Sequence, residues 1–246
     1  MCTVSFIPVK DGFYITTNRD EKNSRKTALH PAAYIFNNQE MFFPKDADAG
    51  GTWIVMKENG DTAVLINGAF ENHEPTPPYR QSRGIILLEL FSTLSPSDAF
   101  EKKELDNIEP FTIILFEESR LYEFRWDGNK KYFKPLEQKP YTWCSATLYT
   151  DAAIKIKEQL FASFLADKPM PDQKDILHFH NQADYAKFQN AHMQVNEAIY
   201  STVSITSILL NKTSCSMHYV DSKNSVSSEL FVEMKQSLLT LNEKNF

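Results

Sequence analysis

The sequence predicts an α+β fold, with paired strands grouped toward both ends of the chain and helices clustered between them. Two observations carry this. Runs rich in β-branched and aromatic residues come in pairs around turn sequences, while helical spacing is confined to the stretches between. In addition, all seven glycines lie in the first 128 residues, four of them (Gly50, Gly51, Gly60, Gly68) between positions 50 and 68. Glycine permits left-handed backbone and close approach of another chain or a ligand, so the first half reads as the working part and the second as scaffold.

Thr3–Val9 alternates, Asp11-Gly12 supplies a turn, and residues 13–17 resume the strand pattern, which together predict a hairpin. A second hairpin is predicted from residues 52–56 and 62–66 around Glu58-Asn59-Gly60-Asp61. Further strands are expected at 111–116, 121–126, 204–210 and 214–220. Residues 82–91 read as a short buried helix with Ser82 as its cap, and Ser97 carries capping chemistry at the start of a second. Residues 151–164 give a clear helix with Ala153, Ile156, Leu160, Phe161 and Phe164 on one face; residues 175–187 are expected to form another. Neither a repeat nor a linker divides the chain, so one domain over residues 1–246 is expected.

A net charge of −6 and the lack of a basic patch with interleaved aromatics argue against nucleic acid as a partner. The three cysteines (Cys2, Cys144, Cys215) form no disulfide framework and no paired metal spacing, which points to a reducing, cytoplasmic setting. Apolar runs such as IILLELF are too short to span a bilayer, and no signal peptide is expected.

Cys2 directly follows the start methionine. Removal of Met1 would expose an α-amine with a pKa of about 7.7–8.0, able to accept the proton of its own thiol. From position alone, Cys2 reads as an edge-strand cysteine behind a retained methionine, since many chains begin Met-Cys without catalytic use. Asn18-Arg19-Asp20-Glu21 follows a predicted strand; alone it reads as an exposed charged turn, while the hairpin would bring it to the end where the first strand begins. Arg19 there would favour a thiolate, and Asp20 would orient the amine. Asn67 ends a strand, where its amide could donate to an oxyanion or merely open an Asn-Gly turn. His178 and His180 are two apart on a helix and read as exposed residues rather than metal ligands. Cys144, beside Trp143, reads as a small buried residue.

The order of these pieces is more specific than any one of them. Met-Cys-Thr-Val at the start, Asn18-Arg19-Asp20-Glu21, Gly50-Gly51-Thr52-Trp53, a strand ending in Asn67 and Arg80-Gln81-Ser82-Arg83-Gly84 together resemble the NRDE family, also called the transport and Golgi organisation protein 2 family. That family is similar to N-terminal nucleophile hydrolases of the choloylglycine and penicillin V acylase type. The resemblance implies a four-layer αββα sandwich, two antiparallel sheets between helical layers, and hydrolysis of small non-peptide amides without metal or cofactor. Cys2 would be the nucleophile, Arg19 and Asp20 its supports, Asn67 an oxyanion donor, and Asn18, Trp53 and Arg83 substrate contacts.

Two positions depart from the family pattern. Ala146 stands where the family has an Asn in Leu-Ser-Asn, and Val203 where it has the Arg of Tyr-Gly-Thr-Arg-Ser. These departures keep open a second expectation, a non-catalytic carrier of a lipid-like or haem-like molecule. Either way the expected partner is a small molecule, and no oligomeric state is specified.

Overall fold

A computed structural model describes residues 3–182 and 200–234. Cys2 and residues 183–187 of the fourth expected helix lie outside the described residues. The chain runs β1 (Thr3–Val9), β2 (Gly12–Lys22), β3 (Leu29–Phe36), β4 (Gln39–Lys45), β5 (Ile54–Met56), β6 (Thr62–Asn67), α1 (Arg83–Phe91) and α2 (Pro96–Lys102). It continues with β7 (Phe111–Glu117), β8 (Arg120–Trp126), β9 (Lys131–Leu136), β10 (Tyr141–Cys144), α3 (Asp151–Asp167) and α4 (Gln173–Gln182). Three strands close it: β11 (Tyr200–Asn211), β12 (Ser214–Asp221) and β13 (Val226–Glu233).

Six strands form one antiparallel sheet in the order β10-β1-β2-β11-β12-β13, and seven form a second in the order β3-β4-β5-β6-β7-β8-β9. Their inner faces share one core. Phe6 and Phe13 of the first sheet pack together and Phe13 meets Phe116 of the second at 4.4 Å between ring centroids. Leu87, Leu90 and Phe91 of α1 pack on Ala63, Ile113, Leu115 and Phe124, covering the outer face of the seven-stranded sheet. On the far side, Phe161 of α3 and Ile176 of α4 bury Ile7 of β1. The layers are therefore helix, sheet, sheet, helix, and the expected αββα sandwich is the observed architecture.

The hairpins fall where the turn sequences put them, with Val4 opposite Thr17 and Ile54 opposite Val64. The reading of Asn18–Glu21 as an exposed turn is corrected. These residues extend β2 and pair with β11, and Asn18, Arg19 and Asp20 are buried. In α3 the expected stripe is corrected by one residue: Ile156 is exposed, and Lys157 takes its place inside. Residue 157 lies four after Ala153 and four before Phe161, so it shares their face whatever its polarity. The cap of α2 is Ser95, whose hydroxyl accepts from the Asp98 amide, rather than Ser97. Cys144 is half-buried rather than buried.

His180 is the largest correction. It is buried, its Nε2 accepting from the Ser5 hydroxyl at 2.7 Å and its Nδ1 donating to the Asn18 side-chain carbonyl. The Asn18 amide also donates to the His180 backbone carbonyl at 3.0 Å, so one side chain clasps α4 to β2 at two points. Burial, with the Lys157 ammonium adding to it, pushes the imidazole down to about 3. Ser5, His180 and Asn18 have the connectivity of a nucleophile, base and orienting group, but they are sealed between layers and act as a structural clamp.

Below the ordinary histidine pKa near 6.5, the unfolded chain binds a proton that native His180 does not take up until about 3. Stability from this residue is thus complete above about pH 6.5 and falls by roughly 1.4 kcal/mol per pH unit as the solution is acidified toward 3. Urea unfolding at several pH values should show this slope in the wild type and a flatter one in His180→Asn, whose amide still donates to Asn18.

Candidate active site

Residues along a strand alternate between its two faces, and this alternation splits the Asn18–Glu21 tetrapeptide. Asn18 and Asp20 face α3 and α4. Asp20 accepts from the Tyr149 hydroxyl at 3.0 Å and from the Thr202 hydroxyl. Arg19 and Glu21 face the other way, toward the second sheet, and line a cleft of about 250 Å³ at one end of the sandwich. The cleft is closed by the 46–53 loop, the end of β6 and the first residues of α1.

Arg19 is almost fully enclosed. Its guanidinium bonds Asp46 Oδ2 at 2.7 Å and lies 4.7 Å from the centre of the Trp53 ring. Asp46 also accepts the backbone N–H groups of Asp48 and Ala49 at 2.9 and 2.8 Å, and Arg25 at 3.1 Å. Burial alone would raise this carboxyl, but the Ala49 N–H and the two arginines outweigh it and hold Asp46 below the usual carboxylate range. The sequence reading missed Asp46. Its signal was a turn-forming Asp ahead of Ala49-Gly50-Gly51, with nothing to show that it would meet Arg19.

The glycines of the loop have a specific use. A Cβ on Gly51 would stand 2.6 Å from the Gly84 carbonyl carbon, and one on Gly84 would stand 2.7 Å from the Thr52 oxygen. Two glycines from separate motifs therefore let the start of α1 lie directly on the loop. Ser82 caps that helix, its hydroxyl accepting from the Ile85 amide. Arg83, its first residue, donates to the Pro110 carbonyl at 3.1 Å and pairs with Glu109 at 3.0 Å. Burial pushes the Arg83 guanidinium down, with Glu109 opposing.

Asn67 ends β6 in the cleft, and its backbone carbonyl accepts from Ser145 at 2.9 Å. Gly68 follows with φ +80°, packed against Ala146 and Thr147. Ala146 thus presents a methyl beside the Asn67–Gly68 corner. Val203 sits at a bulge in β11, between the residues facing Asp20 and Arg19. Trp53 is buried, yet its Nε1–H has no hydrogen-bond partner among the described residues. The structure therefore brings Arg19, Trp53, Asn67 and Arg83 to one cleft and directs Asn18 and Asp20 to the opposite face of β2. Among the described residues, no cluster of His, Cys, Asp or Glu is arranged to hold a metal ion, and no helix is long and apolar enough to cross a membrane.

The model of the family described as Transport and Golgi organisation 2 matches residues 1–225. The chain belongs to this family. No curated protein matches it by sequence. Solved structures share the family member's fold at low identity. A C2A mutant of the conjugated bile acid hydrolase from Clostridium perfringens matches with TM-score 0.61 and 11% identity, over 96% of this chain and 97% of the other. The N-acylethanolamine-hydrolyzing acid amidase ortholog of Caenorhabditis elegans matches with TM-score 0.57 and 11% identity, over 85% and 92%. This family member therefore has the sandwich of N-terminal nucleophile hydrolases.

Two substitutions test the cleft. Gly84→Ala forces backbone apart and should lower stability by about 1–3 kcal/mol in denaturant titration. Asp46→Asn keeps the shape but strips the counter-charge from Arg19 and Arg25; a loss of about 3 kcal/mol is expected by the same measurement.

Proposed function

We propose that the protein is an N-terminal cysteine hydrolase of a small, polar, non-peptide amide. The observation that carries this reading is the convergence of Arg19, Trp53, Asn67 and Arg83, drawn from four separate sequence motifs, on one cleft. The fold shared with an amidase and a bile acid hydrolase supports it. Cys2 is tethered by one peptide bond to Thr3, the first residue of β1.

After loss of Met1, the Cys2 α-amine takes the thiol proton while the sulfur attacks the amide carbonyl. Asn67 and neighbouring backbone N–H groups receive the developing oxyanion. The amine then passes the proton to the departing nitrogen as the C–N bond breaks, leaving a thioester. Water, losing a proton to the same amine, cleaves the thioester and restores the thiol. Arg19 favours the thiolate, and Asp20, held by the Tyr149 and Thr202 hydroxyls, orients the amine. The orphan Trp53 N–H offers a donor to a bound substrate, with Asn18 holding β2 in place behind it.

The cleft lining argues for the substrate class. Arg19, Arg25 and Arg83 are matched by Glu21, Asp46 and Glu109, which suits a polar molecule better than a lipid chain. Its volume of about 250 Å³ also falls below the roughly 300–1,000 Å³ of sites for larger ligands. The carrier reading rests on Ala146 and Val203, apolar residues at the two positions that depart from the family pattern. The buried Cys215 thiol fits a reducing, cytoplasmic setting.

Intact-mass measurement after exposure to a panel of N-acyl substrates tests the proposal. Loss of Met1 and an acyl adduct on wild type but not on Cys2→Ala are expected, with acylation slowed about 100-fold or more in Asn67→Ala. Retained Met1, or equal ligand binding by wild type and Cys2→Ala without any adduct, sinks it.

A further inference from the structure

The cleft lining holds buried donors that nothing accepts. Trp53 is 2% exposed, and its Nε1–H meets no acceptor among the described residues. Arg25 Nε is buried and unpaired in the same lining, with the Glu21 and Asp48 carboxylates at 3.8 and 4.0 Å, beyond hydrogen-bond reach. No buried side-chain acceptor of the lining is left over in the same way among the described residues. The wall beside Trp53 adds to the excess. Backbone N–H groups in the first turn of a helix have no partner within it. In α1 the Ser82 oxygens accept those of Ile85 and Ile86, which leaves those of Arg83 and Gly84. The close contact of Gly51 with Gly84 sets this helix start against the loop, two residues from Trp53. Acidic side chains stabilise a first turn and cations oppose it. The first turn of α1 has no acid, and its first residue is the arginine Arg83.

We propose that the α1 end of the cleft is a carboxylate subsite, formed by the Trp53 indole N–H, the Arg83 and Gly84 backbone N–H groups and the Arg83 guanidinium. The substrate is then an amide that also carries a carboxylate. This rests on the hydrolase reading and deepens it by naming the substrate class. An ionised carboxylate only accepts hydrogen bonds, with about four acceptor positions on two oxygens. That is the complement of a wall with donors to spare. A neutral carboxamide brings donors of its own, which the wall has no means of using.

The acids of the cleft do not supply the missing acceptor. Asp46 is taken up by Arg19, Arg25 and the Asp48 and Ala49 amides. Glu109 pairs with Arg83 at 3.0 Å and has His73 at 3.4 Å. Glu21 lies 3.8 Å from both Arg19 and Arg25. Three arginines thus stand against three acids in the lining, and the helix terminus adds about half a positive charge. The balance suits one further negative charge. A phosphate monoester, with about −1.5 to −2 at neutral pH, would exceed it.

The test is isothermal titration calorimetry on the full Cys2→Ala chain, in which turnover adds no heat. N-acetylglycine carries its carboxylate on the amine half of the amide and N-methylsuccinamate on the acyl half. Each is compared with its neutral carboxamide. At least one carboxylate should bind about tenfold or more tighter than its carboxamide, and which one does assigns the half. Trp53→Phe keeps a ring beside Arg19 but removes the N–H. It should weaken that carboxylate about tenfold and leave the carboxamide unchanged. Absence of any carboxylate preference, or of binding by either carboxylate, overturns the proposal, as does an unchanged carboxylate affinity in folded Trp53→Phe. Should Trp53→Phe fail to fold, the comparison of carboxylate with carboxamide decides alone. Binding is read apart from acylation. Carboxylate preference without an adduct on the wild type fails the hydrolase reading only; acylation that favours the carboxamides fails this subsite only.

Discussion

The ion pair between Arg19 and Asp46 is the contact on which the cleft depends. Arg19 belongs to the six-stranded sheet, and Asp46 follows β4 of the seven-stranded one, so the bond ties the two halves of the sandwich at their open end. Elsewhere the sheets are joined mainly by apolar contact, with hydrogen bonds from Trp143 to Glu123 and between His30 and Ser228 toward the edges. Here a charge-assisted bond with fixed geometry sets their relation. The surrounding elements serve it: the Asp48 and Ala49 amides preset the carboxylate, Trp53 covers the guanidinium, and the glycine contact under α1 holds the loop. An isolated buried pair seldom stabilises much once desolvation is counted. The network around Asp46 is what makes the site rigid.

Apart from β4, the central strands were legible in the sequence because they combine strict patterning with turn chemistry. The edges were not. β10 and β13 border one sheet, β3 and β9 the other, and none of the four was expected. An edge strand faces solvent on one side, so its alternation blurs, and it tolerates proline as central strands do not. Pro31 lies in β3 and Pro135 in β9. One usable signal was passed over. Asn37 and Asn38 both adopt positive φ, the conformation of a tight hairpin turn, and they join β3 to β4.

At the site, motif order singled out candidate residues, but not which face each would take. A four-residue run on a strand cannot deliver all its side chains to one place. Arg19 and Glu21 go to the cleft, while Asn18 and Asp20 go to the helix layer. Burial of His180 and Lys157 was hidden for a related reason: polar residues on a helix are read outward by default, and only a tertiary partner reverses that. The partners, Ser5, Asn18 and Thr3, lie more than a hundred residues away in sequence.

Together these placements make the first strand pair the meeting point of two polar systems. On one face, paired charges shape a cleft. On the other, a histidine clasp and a buried lysine fix the strands that border it. A nucleophile at a chain terminus has a freedom that one within a chain lacks, since only one peptide bond restrains it. Under the proposed hydrolase reading, the polar groups around the start of β1 would supply the restraint that chain connectivity does not. The same reasoning explains how Ala146 and Val203 can be apolar without disturbing the fold. They adjoin the Asn67 corner and β2, but the Arg19–Asp46 network and the His180 clasp do not pass through either side chain.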